Sequence, residues 1–185
     1  MKTPNKLSIL LWLPLLLICC AREEPGIEGN CGQWLSNDTV AVQAVAVYGK
    51  REFFQTKESF WHVIVNVRNE KTENVEIRWV RGEFSGKGIN PNMVWCPLFT
   101  VDSLPENLTV KGIVNVGRIS QAEIDGMESG LDFAPRKLRP RETCTTIVRP
   151  GNPDEPSLVK IKLRFGDGSQ SRPFLIAVSR SSESR

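Results

Sequence analysis

Hydrophobic and polar residues alternate with a period of two along most of the chain after Thr39. In the segment FWHVIVNVRN, Val63 and Val65 point to one side, whereas His62 and Asn66 point to the other. This spacing is typical of a β-strand with one face on a core. The alternation therefore predicts that most of the chain folds into sheets.

The next segment, NVEIRWVRG, alternates in the same way. Val75, Ile77 and Trp79 are predicted to share the buried face, with Glu76 and Arg78 on the opposite one. The polar stretch NEKTEN between the two segments has the length and composition of a hairpin turn. The two segments are thus expected to be consecutive antiparallel strands.

Alternating or β-branched runs elsewhere predict further strands. They cover residues 40–47, 93–101, 108–116, 143–148, 159–165 and 174–178. Pro97 interrupts the second of these, which favours an edge strand or a bulge there. With about eight strands and short turns, an antiparallel β-sandwich in the all-β class is the expected fold.

A single segment, SQAEIDGMESG, has the pattern of a helix. Ser120 and Glu123 have the spacing of a capping box, and Gly130 is suited to end the helix. Since few strands are separated by helices, a parallel α/β sheet is disfavoured. We expect at most one short helix.

The stretch WHVIVNVRNEKTENVEIRWVRGEF, with the following LTVKGIVNVG, resembles immunoglobulin-like domains of exported bacterial lipoproteins. In those domains an alternating strand ends in Asn, a polar turn follows, and a second strand pairs back. The resemblance covers roughly 60 residues and implies an immunoglobulin-like architecture. The immunoglobulin hallmark of Cys, Trp and Cys at strand spacing is missing from this chain.

The first residues have the pattern of a secretory signal peptide. Lys2 and Lys6 precede an apolar run of about 14 residues, shorter than the ~20 that a membrane-spanning helix needs. The run ends in Leu17-Ile18-Cys19-Cys20, which resembles the lipobox of bacterial lipoproteins. That resemblance implies cleavage before Cys20 and a lipid on its sulfur, although Cys19 stands where Gly or Ala is usual. The alternative is ordinary cleavage after Ala21 without acylation.

These observations divide the chain into four parts. Residues 1–20 are the predicted signal peptide, with the lipid attachment at Cys20, and the polar residues 21–33 are a predicted tether. Residues 34–180 are the predicted β-sandwich, and 181–185 are a disordered tail. The expected location is the cell envelope, on the periplasmic or outer side of a membrane. Without acylation, the protein would be secreted.

Charge is distributed unevenly along the chain. Counting Lys and Arg against Asp and Glu, residues 21–133 carry 11 against 16, and residues 134–185 carry 11 against 5. The densest basic cluster is PRKLRPRE, whose candidate partner-binding residues are Arg136, Lys137, Arg139 and Arg141. The flanking prolines predict an extended segment whose basic side chains fan into solvent around Leu138. An envelope protein or an anionic glycan or lipid is the expected partner, and nucleic acid is disfavoured.

Past the signal, three cysteines remain: Cys31, Cys96 and Cys144. In an oxidising compartment, three cysteines are expected to give one disulfide and one free thiol. Cys96 and Cys144 both lie in apolar or β-prone segments, so this pair is the first candidate. A link from Cys31 to either one, or three reduced cysteines packed as small apolar residues, are the alternatives.

Residues that carry chemistry are few. His62 is the only histidine, and no pair of cysteines or histidines has the spacing of a zinc site. Asp125, Glu128 and Asp132 form an acidic cluster without the loop of a calcium motif. We therefore expect no cofactor and no catalytic residues, and a non-enzymatic module that binds or organises another envelope component. The alternatives are a freely secreted binding or inhibitory domain and a small carboxylate-dependent hydrolase.

Overall fold

The computed structural model of the protein describes residues 25–53, 56–86, 89–100, 114–115, 120–148 and 156–178. Within these residues the chain forms eleven strands and one helix, in two sheets whose strands are mostly antiparallel. The prediction of a mostly-β fold with one short helix is confirmed. The elements are β1 (Ile27–Asn30), β2 (Trp34–Ser36), β3 (Val40–Phe53), β4 (Thr56–Asn69), β5 (Val75–Gly86), β6 (Ile89–Cys96), β7 (Val114–Asn115), α1 (Gln121–Ser129), β8 (Arg136–Leu138), β9 (Thr143–Val148), β10 (Leu158–Phe165) and β11 (Phe174–Ala177).

The smaller sheet has four strands in the order β2-β3-β4-β9. The larger sheet has the order β1-β11-β10-β5-β6-β7, and β8 pairs with the first residues of β5. The predicted signal peptide with Cys20, most of the predicted strand 108–116 and the tail 181–185 lie outside the described residues.

The two sheets share one hydrophobic core, which the predicted alternation supplies. Val42 on β3 is paired with Val67 on β4, and both are fully buried. From the larger sheet, Ile161 and Leu163 on β10 and Ile176 on β11 enter the same cluster. β-Branched side chains dominate this core because they fit the half-buried surface of a sheet.

The alternation in β5 breaks at Arg78. Phe165 pairs with Ile77 and Arg164 with Trp79, so that Arg78 is an extra residue and forms a β-bulge. Ile77 still enters the shared core, but Trp79 turns to the opposite face of the sheet. The prediction that Trp79 shares the face of Ile77 was therefore wrong, because one inserted residue reverses the facing of every later position.

Helix α1 covers the outer face that the bulge creates. Ser120 accepts a hydrogen bond from the backbone of Glu123, and the Glu123 side chain accepts one from the backbone of Ser120, so the predicted capping box is confirmed. Ile124, the buried residue of the helix, packs with Trp79 and with two further large side chains of the sheet, Met93 and Trp95. Among the described residues, no helix is long and apolar enough to cross a membrane.

The folded domain begins earlier than the sequence analysis placed it. Residues 27–30, assigned there to the tether, form β1 and pair in parallel with β11. A turn closed by a hydrogen bond from the Gln33 backbone to Asn30 then leads the chain into β2, in the other sheet. This strand was not predicted because it has only four residues, and only alternate ones are partly buried, so the hydrophobic pattern is weak.

Candidate functional site

The basic segment 136–142 is a short strand and a tight turn, not an extended solvated loop. β8 pairs with β5, so that Leu138 lies opposite Val75 and is fully buried. The turn that follows places Arg141 in the left-handed region, with φ 64°. The sequence analysis expected a solvated segment around Leu138, and this expectation is corrected. The segment pairs instead with the edge of β5, which offers backbone hydrogen bonds to an extended chain.

Arg136 points toward the smaller sheet and is half-buried. Its guanidinium Nη2 lies 3.3 Å from Glu142 Oε1. A hydrogen bond with the Cys144 side chain, and to a lesser extent the contact with Glu142, raises the pKa of Arg136. Burial raises the pKa of the Cys144 thiol, and Arg136 partly opposes this shift. Arg136 therefore serves mainly to hold β8, the turn and β9 together.

Arg141 ends a chain of polar contacts that crosses from the turn to β2. Its Nη1 donates to Glu70 Oε2 at 2.7 Å, and the other oxygen of Glu70 accepts from Arg68 Nε at 2.6 Å. The Arg68 guanidinium lies 4.5 Å from the centroid of the Trp34 ring. Trp34, at 37% exposure, is one of the two exposed large hydrophobic side chains of the described residues. We name Trp34, Arg68, Glu70, Arg139 and Arg141 the basic surface.

The two remaining basic residues of the segment are exposed but differ in position. The Arg139 backbone donates to the Glu142 side chain, which places Arg139 in the same tight turn as Arg141. Lys137 is adjacent to Arg136 in β8 and so points to the opposite face, where it pairs in register with Glu76. Arg139 and Arg141 therefore share the turn, Arg136 contacts that turn through Glu142, and Lys137 lies on the opposite face of β8 from Arg136.

The predicted Cys96–Cys144 disulfide is not present. Cys31, Cys96 and Cys144 are all free thiols. The Cys96 thiol donates to the Ile147 carbonyl at 3.7 Å, whereas the Cys144 side chain faces Arg136. Each thiol thus has its own partner, on β9 for Cys96 and on β8 for Cys144, and both thiols are buried among apolar side chains.

A second polar cluster lies under α1, and the sequence analysis missed it. Glu128 Oε1 accepts from Arg81 Nη1 at 2.6 Å and from Trp95 Nε1 at 3.2 Å, and Glu128 Oε2 accepts from Gln170 at 3.1 Å. Glu128 therefore acts as an acceptor between elements, not as a member of a cation site. The described residues contain no group of three or more His, Cys, Asp or Glu side chains arranged to hold a metal ion.

Comparisons with known proteins give little further information. No protein-family model matches the chain. No curated protein matches it either. Among solved structures, the chain is similar to one described as "X-ray structure of Northeast Structural Genomics Consortium target SoR45". That similarity covers 80% of this chain and 92% of the other, at 8% sequence identity and a TM-score of 0.34.

Proposed function

We propose that this protein is an exported, non-enzymatic module of immunoglobulin-like architecture that binds another component of the bacterial cell envelope through its basic surface. In this proposal a lipid on Cys20 holds the module at a membrane. The observation that carries the proposal is the contact chain from exposed Trp34 through Arg68 and Glu70 to Arg141.

Trp and Arg are the side chains most often found at the energetic centre of protein interfaces. Here Glu70 holds Arg68 from one side, and Trp34 lies against the Arg68 guanidinium. Because these side chains are already ordered in the free protein, they lose less conformational entropy when a partner binds. The three arginines of the surface outnumber its one carboxylate, which gives it a net charge of +2 (3 − 1). An acidic face on an envelope protein is the partner that this combination favours, with an anionic glycan or lipid as the alternative.

The strand pairings support the immunoglobulin-like part of the proposal. In that architecture the second strand pairs with the fifth, the third with the sixth, and the sixth with the seventh. If β3, β4 and β5 are counted as the first three strands and β9, β10 and β11 as the fifth to seventh, with β6–β8 in place of the fourth, the corresponding pairs here are β4 with β9, β5 with β10, and β10 with β11.

The position of β1 relates the proposed anchor to the basic surface. Six residues lie between Cys20 and Ile27, and the seven steps from one Cα to the next span at most about 25 Å. β1 begins where β11 begins, at the end of the larger sheet that holds the turn after β10. The first residues of β5, and β8 beside them, lie at the same end. An acylated Cys20 would therefore keep the basic surface near the membrane.

The partner contact is tested by recovery of bound proteins from native membranes. The double variant Arg139→Ser/Arg141→Ser and the single variant Trp34→Ser should each recover at least about tenfold less partner than the wild type. Lys137→Ser is the matched control, because it removes one exposed cation on the other face of β8. Equal recovery by all variants would contradict the role of the basic surface.

The same variants separate the kinds of partner. If the partner is a protein, trypsin treatment of the membranes should abolish recovery, and binding to pure vesicles of phosphatidylglycerol should be weak. Strong binding to those vesicles that Arg139→Ser/Arg141→Ser abolishes would instead assign the surface to anionic lipid. The anchor is tested independently: radiolabelled palmitate should enter the wild type and not Cys20→Ala, and labelling that is equal or absent in both would remove it from the proposal.

A further inference from the structure

A cleft of about 260 Å³ opens on the outer face of the larger sheet, beside the bulge of β5. The bulge contributes Arg78 and Trp79, the last turn of α1 contributes Glu128, and the end of β10 contributes Arg164. The tight turn after β10, residues 166–168, closes the remaining side. Bulges are over-represented next to functional sites because they redirect a side chain without unfolding the strand.

Two guanidinium groups in this cleft are uncommitted. Neither the Arg78 nor the Arg164 guanidinium makes a hydrogen bond or a close ion pair with a described residue, although Arg164 lies near enough to Asp167 to interact with its charge. The carboxylate of Glu128 is already used on both oxygens, by Arg81 and Trp95 on one and by Gln170 on the other. It therefore adds little negative charge to the cleft.

The other acid of the cleft is Asp167. Hydrogen bonds from the hydroxyl and the backbone of Ser169, together with the nearby Arg164, lower the pKa of Asp167, so that it is charged at neutral pH. Apart from Glu128, which is paired with Arg81, the charges of the cleft are two arginines and one aspartate, a net +1 (2 − 1). The C-terminal end of α1 lies beside them and adds a weak negative field. This balance suits a ligand with a single negative charge and opposes a dianion.

The lining of the cleft is more polar than apolar, and its large apolar members are Trp79 and Leu131. Trp79 is only 3% exposed, whereas Leu131 is half-buried and more accessible. A guanidinium group presents parallel donors in a plane that match the two oxygens of a carboxylate. The volume of the cleft is below the 300–1,000 Å³ that is usual for drug-sized ligands, so the occupant is small (about ten heavy atoms or fewer).

We propose that this cleft binds a small monoanionic carboxylate, with Arg78 and Arg164 holding the carboxylate and Trp79 and Leu131 contacting its apolar part. The site is separate from the basic surface and does not depend on it. Two sources share this chemistry: a free carboxylic acid and the C-terminal carboxylate of a peptide.

The test is a titration of the purified, isotope-labelled protein with benzoate, followed by backbone amide and indole NMR signals. Signals of Trp79 and of residues 166–168 should shift in a saturable manner, with a Kd in the millimolar range or tighter. Arg164→Gln and Arg78→Gln should each weaken binding about tenfold, since each removes a charge-assisted hydrogen bond. Arg139→Gln, an exposed arginine on the basic surface, is the matched control and should bind as the wild type does.

Melting temperatures of the two cleft variants close to that of the wild type would show that weaker binding is not caused by unfolding. Benzyl alcohol, which has the ring without the charge, should produce no saturable shift. The peptide source is distinguished with acetyl-Ala-Ala and its C-terminal amide: saturation by the acid alone would extend the site to peptide C-termini, and its failure would restrict it to free acids. Absence of shifts up to about 20 mM benzoate, or an affinity of Arg78→Gln and Arg164→Gln equal to that of the wild type, would overturn the proposal.

Discussion

The guanidinium of Arg81 and the carboxylate of Glu128 meet at 2.6 Å between the larger sheet and helix α1, with 4% and 8% of their side chains exposed. Glu83 lies 3.2 Å from the same guanidinium, and Lys160 lies 3.4 Å from Glu83. The pair thus adds to the apolar contacts of Ile124 with Trp79, Met93 and Trp95 in holding the helix to the sheet face. It also neutralises one of the two acids that line the adjacent cleft, the other being Asp167.

Removal of one partner from this pair should be strongly destabilising. Arg81→Ala leaves the buried Glu128 carboxylate without its main partner, and we expect a loss of about 3–5 kcal/mol in the free energy of unfolding. Urea denaturation measures the loss. Arg141→Ala is the control, because its ion pair with Glu70 is at the surface and should contribute at most about 1 kcal/mol. A loss in Arg81→Ala no larger than in the control would show that the pair does not hold α1.

Asn69 should be needed for stability although it lies at the end of a strand. It is fully buried, and its Nδ2 donates to the carbonyls of Glu73 and Leu138 while its Oδ1 accepts from the Lys71 backbone. Asn69→Asp keeps the size and the acceptor but loses both donors, so we expect a loss of at least about 2 kcal/mol. The measurement is urea denaturation at pH 7, with the exposed Asn74→Asp as the control. Equal stability of the two variants would contradict this role.

The capping box should make the stability of α1 depend on pH. Hydrogen bonds from the backbone and the hydroxyl of Ser120 lower the pKa of Glu123 below its ordinary value of 4.5. A lowered pKa means that the stabilisation is complete above pH 4.5 and is lost as the pH falls through the lower, folded-state value. Between pH 5 and 3, the melting temperature of Glu123→Gln should therefore fall less than that of the wild type, as measured by thermal unfolding. A pH profile unchanged from that of the wild type would contradict it, and Glu28→Gln on β1 serves as the control.

The free thiols give a direct chemical prediction. A chain that starts at Ala21 should release three thiols per molecule on titration under denaturing, non-reducing conditions, and a value of one would contradict the structure. In the folded protein, Cys144 should react slowly with iodoacetamide at pH 8, because burial raises its pKa above the ordinary 9.0 and keeps it protonated. Because the folded protein holds the Cys144 proton more tightly than the unfolded chain does, the contribution of this thiol to folding stability is complete below pH 9 and falls at higher pH. Rapid native-state alkylation of Cys144 would contradict its burial.

The strands of the shared core were predictable from the sequence because a sheet with one buried face leaves a period of two. The segments around Val42, Val65 and Ile161 lie where the alternation placed them, and the capping residues of α1 were also correctly identified. These are local patterns: each requires only the residues within one element. Signal peptide, anchor and tail remain predictions, since they lie outside the described residues.

Contacts between distant segments were not predictable in the same way. The bulge at Arg78 depends on how β5 registers with β10, and it alone decides that Trp79 faces α1 and that a cleft forms beside it. The pairing of β8 with β5 buries Leu138 and divides a continuous basic segment between two faces. Packing likewise gave Cys96 and Cys144 separate partners. The sequence by itself determined the core strands and the helix, because these depend on local patterns. The register between strands decided which charges meet, because a shift of one residue moves a side chain to the opposite face of a sheet.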